Sequence, residues 1–371
     1  MQGSRRGGKI KVKHFIVPVL ILFCILHFLP SPCLTFQKEK QEEKPDVIII
    51  PDKVKSFFEE GIKTREARLD IPFSIIWHTY LPSQQNLHCV FYFKVKNADL
   101  SFFPIKAEEK KPEKENTEKP SPTEALPSCF RASGHVFLQF NRLEDDTPKE
   151  VVREVYIPLK LEVEVESYQP DKEEIYSTGY PVPPGNYLLS LAIASLDLGK
   201  IGTQYFEFSV PDMTTPEELM TTPIFFVSAI KRMPSPQTTV SVQKEFFIYS
   251  VLQITPKIEN LFSFGDNLDL FFFIFGAIPE EGGKYNIDVN FEITKGEEKI
   301  IRYLTAHYES PIVSQPLPLK KPVVIKSEEG ERREQHDLEA GTYTLHVDVE
   351  DKVTGSLLKK TVDFEVKETN L

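Results

Sequence analysis

Beyond the N-terminal region, the histidines of the chain are His78, His88, His135, His307, His336 and His346. An imidazole suits proton transfer near neutral pH or zinc ligation. Neither chemistry has its usual spacing here: the chain has no HExxH, no close ligand pair and no Cys/His cluster. It also lacks a GxSxG elbow, a P-loop and a GxGxxG turn. Carboxylates gather in Glu144-Asp145-Asp146 and in Asp348, Glu350 and Asp351. Such oxygens can bind calcium, yet EF-hand spacing is missing, and alternating acids on a strand mark its wet face. Trp77, Tyr80, Tyr92 and Tyr156 are the natural members of a sugar-stacking platform, whereas runs such as FFFIF (271–275) read as buried strand. Cys89 and Cys129 allow either a disulfide or two separate core positions, and their spacing selects neither. The sequence therefore assigns no catalytic, cofactor-binding or metal-ligating residue, and it reads as a protein that is not an enzyme and needs no cofactor.

The elements that hold these residues follow from composition. At about 150 residues per domain, a chain of 371 residues holds two or three units. Phe (28) and Tyr (13) are abundant, Gly (17) is sparse and Pro reaches 29. That balance excludes collagen, a polytopic membrane protein and a fully disordered chain, and it suits strands punctuated by proline.

The N-terminal region addresses the chain. Arg5, Arg6, Lys9, Lys11 and Lys13 precede the apolar run FIVPVLILFCILHFL (15–29), then Pro30, Ser31, Pro32 and Cys33. A basic segment, a short apolar segment and small residues describe a secretory signal peptide, with cleavage allowed after Cys33 or Thr35. The alternative is an uncleaved membrane anchor over residues 10–29. Both place residues 1–36 at the membrane and send the body outside. Without that segment the charge is 44 − 5 = 39 positive against 55 negative, or −16. A body so acidic is a poor partner for nucleic acid or an anionic bilayer, so membrane contact is expected only through the N-terminal segment.

Residues 37–70 read as a polar spacer, a short strand at Val47–Ile50 and an amphipathic helix from Asp52. Val54, Phe57, Phe58 and Ile62 share one helical face, Asp52 can cap it, and Gly61 weakens it. The helix is expected to cover one end of the first domain; a docking role is the other reading. Strand patterns fill 71–211, interrupted by a Lys/Glu/Pro-rich loop at 106–125 that cannot bury a core. Residues 212–244 mix Pro/Thr turns with one apolar strand, PIFFVSAI, and are expected to pack across the domain junction. In 245–368 the pattern gives seven strands: 245–256, 268–276, 284–294, 298–308, 322–327, 342–350 and 357–366.

An internal repeat ties the two halves together. Gly185, Tyr187, Leu189, Leu191, Ile193, Gly199, Phe208 and Val210 fall on Gly341, Tyr343, Leu345, Val347, Val349, Gly355, Phe364 and Val366, at a constant offset of 341 − 185 = 156. Each copy is a turn glycine, an alternating strand, a hairpin with glycine and a closing strand. A weaker match joins NLHCVFYFKVKN (86–97) to NLDLFFFIFGAI (267–278). The expected fold class is all-β, with two tandem immunoglobulin-like β-sandwiches after an N-terminal signal or anchor helix.

The Gly-x-Tyr strand followed by a strand ending in F-x-V resembles the C-terminal hairpins of immunoglobulin-like and macroglobulin-like domains. VPDMTTPEELMTTPIFFVSAIKR, with PPGNYLLSLAIASLDLGKIGT, resembles the β-rich parts of secreted bacterial VWFA-related and GWxTD-associated proteins. The chain has neither a GWxTD peptide nor a DxSxS metal motif, so the resemblance implies a fold and an envelope setting and carries over no site residue. The expected function is that of a non-catalytic extracytoplasmic protein, periplasmic or secreted. It would act as a structural or protein-interaction module of the cell envelope with an envelope protein as partner. The alternative is a carbohydrate- or ligand-binding β-sandwich.

Overall fold

The computed structural model describes residues 50–83, 86–106, 127–213, 218–237, 239–327 and 330–368. The signal-or-anchor segment 1–36, the spacer, most of the strand at 47–50 and nearly all of the loop 106–125 lie outside the described residues. No described helix is long and apolar enough to cross a membrane.

The first half comprises α1 (Asp52–Thr64), β1 (Phe73–Ser83), β2 (Asn86–Lys96), β3 (Phe103–Lys106), β4 (Pro127–Glu144), β5 (Thr147–Glu164), β6 (Glu173–Val182), β7 (Gly185–Ser195) and β8 (Ile201–Val210). Between the halves run β9 (Met220–Thr221), β10 (Phe225–Arg232), β11 (Gln243–Lys244), β12 (Phe247–Tyr249) and β13 (Leu252–Pro256). The second half adds β14 (Leu261–Ser263), β15 (Asn267–Phe275), β16 (Ile287–Lys295), β17 (Glu298–Arg302), β18 (Ala306–Tyr308) and β19 (Ile312–Pro318). It ends with β20 (Lys320–Ser327), β21 (Gly330–Asp337), β22 (Gly341–Asp351) and β23 (Leu357–Lys367).

In the first sandwich, β1-β2-β6-β11 faces β5-β4-β7-β8, with β3 also on β4. Their inner faces meet through Phe91 and Phe93 of β2, Leu138 and Phe140 of β4, and Leu189 and Leu191 of β7. In the second, β12-β13-β10-β15-β19 faces β17-β16-β22-β23-β14, joined by Leu270 and Phe272, Val289 and Phe291, and Leu345 and Val347. Both are antiparallel apart from the parallel contact of β14 with β23.

The repeat survives in atomic detail. Tyr187 pairs with Phe208 and Tyr343 with Phe364, and the rings stack with centroids 5.5 and 5.6 Å apart. The Tyr187 hydroxyl donates to Pro183 O (2.9 Å) and that of Tyr343 to Glu339 O (2.8 Å). A tyrosine near the start of the penultimate strand, hydrogen-bonded four residues back, is the tyrosine corner of immunoglobulin-like sandwiches. The chain is all-β, two such sandwiches in tandem.

Between the sandwiches lies a further apolar layer. β2 sends Val90 and Tyr92 outward, β15 sends Phe271 and Phe273, and Phe225, Phe247 and Ile254 fill the space between. Trp77 packs edge-on against Tyr92 (5.3 Å) and Phe225 (5.6 Å). Strands buried on both faces read as continuous apolar runs rather than alternating ones. CVFYF and FFFIF are therefore continuous because each supplies two layers at once.

Several elements differ from the sequence expectation. The strand expected at 245–256 is a hairpin, β12 and β13, turning at Ser250, whose φ is 54°. The 298–308 strand breaks into β17 and β18, and β19 and β21 carry no alternating apolar signal strong enough to have been read. Helix α1 lies on the outer face of β4-β7-β8, not at an end, burying Val54 and Phe58 against Phe137, Ala192 and Ile201. Pro51 occupies its N-cap position, no side chain caps it, and Arg65 ends it in the left-handed conformation.

Candidate functional site

The candidate catalytic and ligating residues do not converge. His78 packs edge-on against Phe206 and Phe208, and burial lowers its pKa. His135 lies between the Tyr156 hydroxyl (3.1 Å) and Leu196 O (3.2 Å). His307 pairs with Asp288 (3.0 Å), His336 with Glu334 (3.4 Å), and His346 meets Thr294 Oγ1 (3.1 Å). Among the described residues no three His, Cys, Asp or Glu side chains gather as a metal site.

The acids have structural partners. Asp145 and Asp146, at φ 49° and 59°, form the two-residue turn of the β4–β5 hairpin, a conformation open to Asp. Asp351 is buried, accepting from Val353 N (3.0 Å) at Oδ1 and from Ile278 N (3.2 Å) and the Thr354 hydroxyl (2.9 Å) at Oδ2. Asp348 and Glu350 pair with Lys359 and Lys352. The aromatic residues are dispersed as well: Trp77 and Tyr92 lie in the inter-sandwich layer, Tyr80 packs on the first core, and Tyr156 is 36% exposed on the outer sheet face. Cys89 and Cys129 are both free; Cys89 is buried in the first core, where burial pushes its thiol up to about 12.

One site does take shape, from residues with no motif. Beside β6 a groove of about 630 Å³ runs along the boundary of the two sandwiches. His88, Val90 and Gly179 form one side, and Gln237, Ser241 and Gln243 the other. Among the described residues no Asp, Glu, Lys or Arg lines it. In a chain with 27% charged residues, that is a marked local neutrality.

The elements explain the groove. β6 is paired along its whole length with β2, but on its other side β11 covers only Tyr176 and Ser177. Glu174, 2% exposed, holds β11 there through Lys244 (3.2 Å), with Lys172 as a second partner (2.9 Å). Burial raises the Glu174 pKa, but the two lysines outweigh it, so its carboxyl lies below the ordinary value. Toward its C-terminal end β6 then loses its neighbour, and the opposite wall begins. That wall is tied by Gln237 and Gln243, which both donate to Ser241 Oγ (2.6 Å each). Across the boundary, the Ser177 hydroxyl donates to Phe246 O (2.6 Å) and that of Tyr249 to Pro82 O (2.7 Å).

Two features make the groove receptive. First, antiparallel pairing directs both backbone groups of alternate residues to one side. Glu245 N donates to Ile175 O (2.9 Å), so Ile175, Ser177, Gly179 and Pro181 direct theirs away from β2. Gly179 N–H and C=O and Pro181 C=O are left facing the groove with no strand beside them among the described residues. Second, the His88 ring has no hydrogen-bond partner among the described residues, and burial pushes its pKa down to about 4, leaving it neutral at pH 7. Its Nε2 lies over Gly179, where a Cβ would come within 2.9 Å of it. Sequence reading missed this site because its parts come from three separate stretches, none with catalytic spacing. The available signal was a glycine inside a strand, which marks close approach of another backbone. No family model matches the chain, and no curated protein matches it.

Proposed function

We propose that the chain is a non-catalytic extracytoplasmic protein of the cell envelope, a structural or protein-interaction module. The observation that carries this reading is the aromatic layer between the sandwiches, where Trp77, Tyr92, Phe225 and Phe271 pack in one cluster. Two domains joined by a small polar contact move relative to each other, whereas an apolar interface holds them in register. A fixed pair presents its loops and exposed sheet faces at constant spacing, as a docking scaffold requires. The exposed face of β17-β16-β22-β23 supports the same reading, with a lattice of pairs such as Glu292–Lys299 (3.0 Å) and Asp348–Lys359 (3.6 Å). The basic and apolar N-terminal segment, together with the resemblance to secreted bacterial proteins, supports export.

The test is site-specific photocrosslinking in the cells that make the protein. A benzophenone amino acid replaces exposed Thr361 in the second sandwich or exposed Val151 in the first. The expected result is a discrete protein adduct at one position, in a pool that externally added protease degrades. A protease-protected cytoplasmic pool, adducts to glycan alone, or turnover of a substrate by the purified chain would each overturn the reading.

A further inference from the structure

We propose that the neutral groove beside β6 binds an extended, uncharged peptide segment of a partner protein, which adds as a short antiparallel strand to the free edge at Gly179–Pro181. This rests on the interaction-module reading and names where and what such a module would bind. The free backbone groups dictate the extended form: Gly179 N–H and C=O and Pro181 C=O have no backbone partner among the described residues and lie at strand spacing. An edge of that kind recruits a strand through main-chain hydrogen bonds, with neighbouring pockets reading alternate side chains. This particular edge already accepts one: β11 pairs with it antiparallel at Tyr176 and Ser177, and the groove continues the line that β11 leaves.

The lining dictates the ligand's neutrality. Burying a charge against Val90, Phe247, Gln237 and Gln243, with no counter-charge among the described lining residues, is costly. The His88 ring, which has no hydrogen-bond partner among the described residues, supplies one side-chain hydrogen bond, and the absence of a Cβ at Gly179 keeps that ring over the strand. Pro181 limits the length. Lacking an N–H, it cannot extend the ladder, so the added strand spans only a few residues, and growth of a continuous intermolecular sheet is blocked. A glycan could also use neutral donors, but it would leave the backbone edge unused.

The probe is a phage-displayed library of random heptapeptides, panned on the full-length protein and followed by binding measurements on synthetic versions of the enriched sequences. Thr239 is exposed on the groove wall, so Thr239→Glu places a carboxylate in the groove without touching either core. The expected peptides lack Asp, Glu, Lys and Arg, and they lose about ten-fold or more in affinity for Thr239→Glu while Thr239→Ser binds as wild type. N-methylation of the peptide amides that would meet Gly179 abolishes binding. Unchanged melting temperatures of both variants exclude misfolding as the cause. The proposal falls if no peptide is enriched, if enriched peptides ignore Thr239→Glu, or if N-methylation has no effect. It falls equally if an oligosaccharide array yields the groove-sensitive ligand instead. In those cases a photocrosslinked protein at Thr361 or Val151 would still support the interaction module, so the two readings fail separately.

Discussion

At the scale of single residues, His88 links the groove to stability. Its pKa is pushed by burial from the ordinary 6.5 to about 4. Between those values the unfolded chain binds a proton that the folded chain refuses, so stability falls as pH drops through that window. His78 acts in the same direction, also through burial. A shift of that size corresponds to roughly 3 kcal/mol by pH 4, reduced by whatever solvent the groove admits. His88→Gln keeps a neutral hydrogen-bonding side chain and removes the titration. Urea midpoints measured from pH 7 to pH 4.5 should therefore fall less for His88→Gln than for wild type, by about 1–3 kcal/mol once converted to free energy. Parallel curves would mean that the imidazole is solvated in the native state, and the donor assigned to the groove would lose its basis. The sequence could not signal this role. A histidine in a strand between Leu87 and Cys89 looks like any other, and only the unpaired length of β6 sets it apart.

At the scale of elements, helix α1 shows why a residue that weakens a helix can be required. Gly61 lowers intrinsic helix stability by about 1 kcal/mol relative to alanine. A Cβ at Gly61 would nevertheless fall inside the ring of Tyr205, whose hydroxyl donates to Phe57 O (3.0 Å). Gly61→Ala is expected to destabilise by about 1–3 kcal/mol, overlap outweighing propensity. In a Tyr205→Leu background the same change should turn neutral or stabilising, and thermal melts of the four chains would read the coupling. A destabilisation of equal size in both backgrounds would place its cause in the helix itself. The helix and its apolar face were legible, because four apolar residues at helical spacing announce them; its seat on β4-β7-β8 was not. The repeat was legible at the level of single pairs, since Gly185–Val210 and Gly341–Val366 keep one register at one offset. Strands β19 and β21 escaped because proline and charged residues replace alternation there. The groove escaped because neutral Gln, Ser and Thr are what any loop contains.

At the scale of the whole molecule, the aromatic runs decide how the sandwiches behave together. FFFIF reads from the sequence as buried strand, and a continuous apolar run of that kind, like CVFYF, needs cover on both faces. The chain supplies it: Phe271 and Phe273 point to the inter-sandwich layer while Phe272 points to the second core. The described body, within residues 48–371, accordingly forms one compact unit. Its two sandwiches should unfold in a single transition, with calorimetric and van't Hoff enthalpies equal. Phe225 is the residue to test, because its ring meets Trp77 of the first sandwich at 5.6 Å and Phe271 of the second at 5.7 Å. Phe225→Ala opens a cavity in that shared layer, for which truncation of a buried phenylalanine costs about 3–5 kcal/mol. The loss falls on the coupling between the sandwiches, since the inner cores hold none of the Phe225 ring. Scanning calorimetry of Phe225→Ala should then resolve two transitions, the calorimetric enthalpy exceeding the van't Hoff value. A lower but still single transition would show that the hydrogen bonds across the boundary, Ser177 to Phe246 O and Tyr249 to Pro82 O, carry the coupling instead. Two transitions already present in wild type would remove the fixed geometry on which a docking scaffold depends.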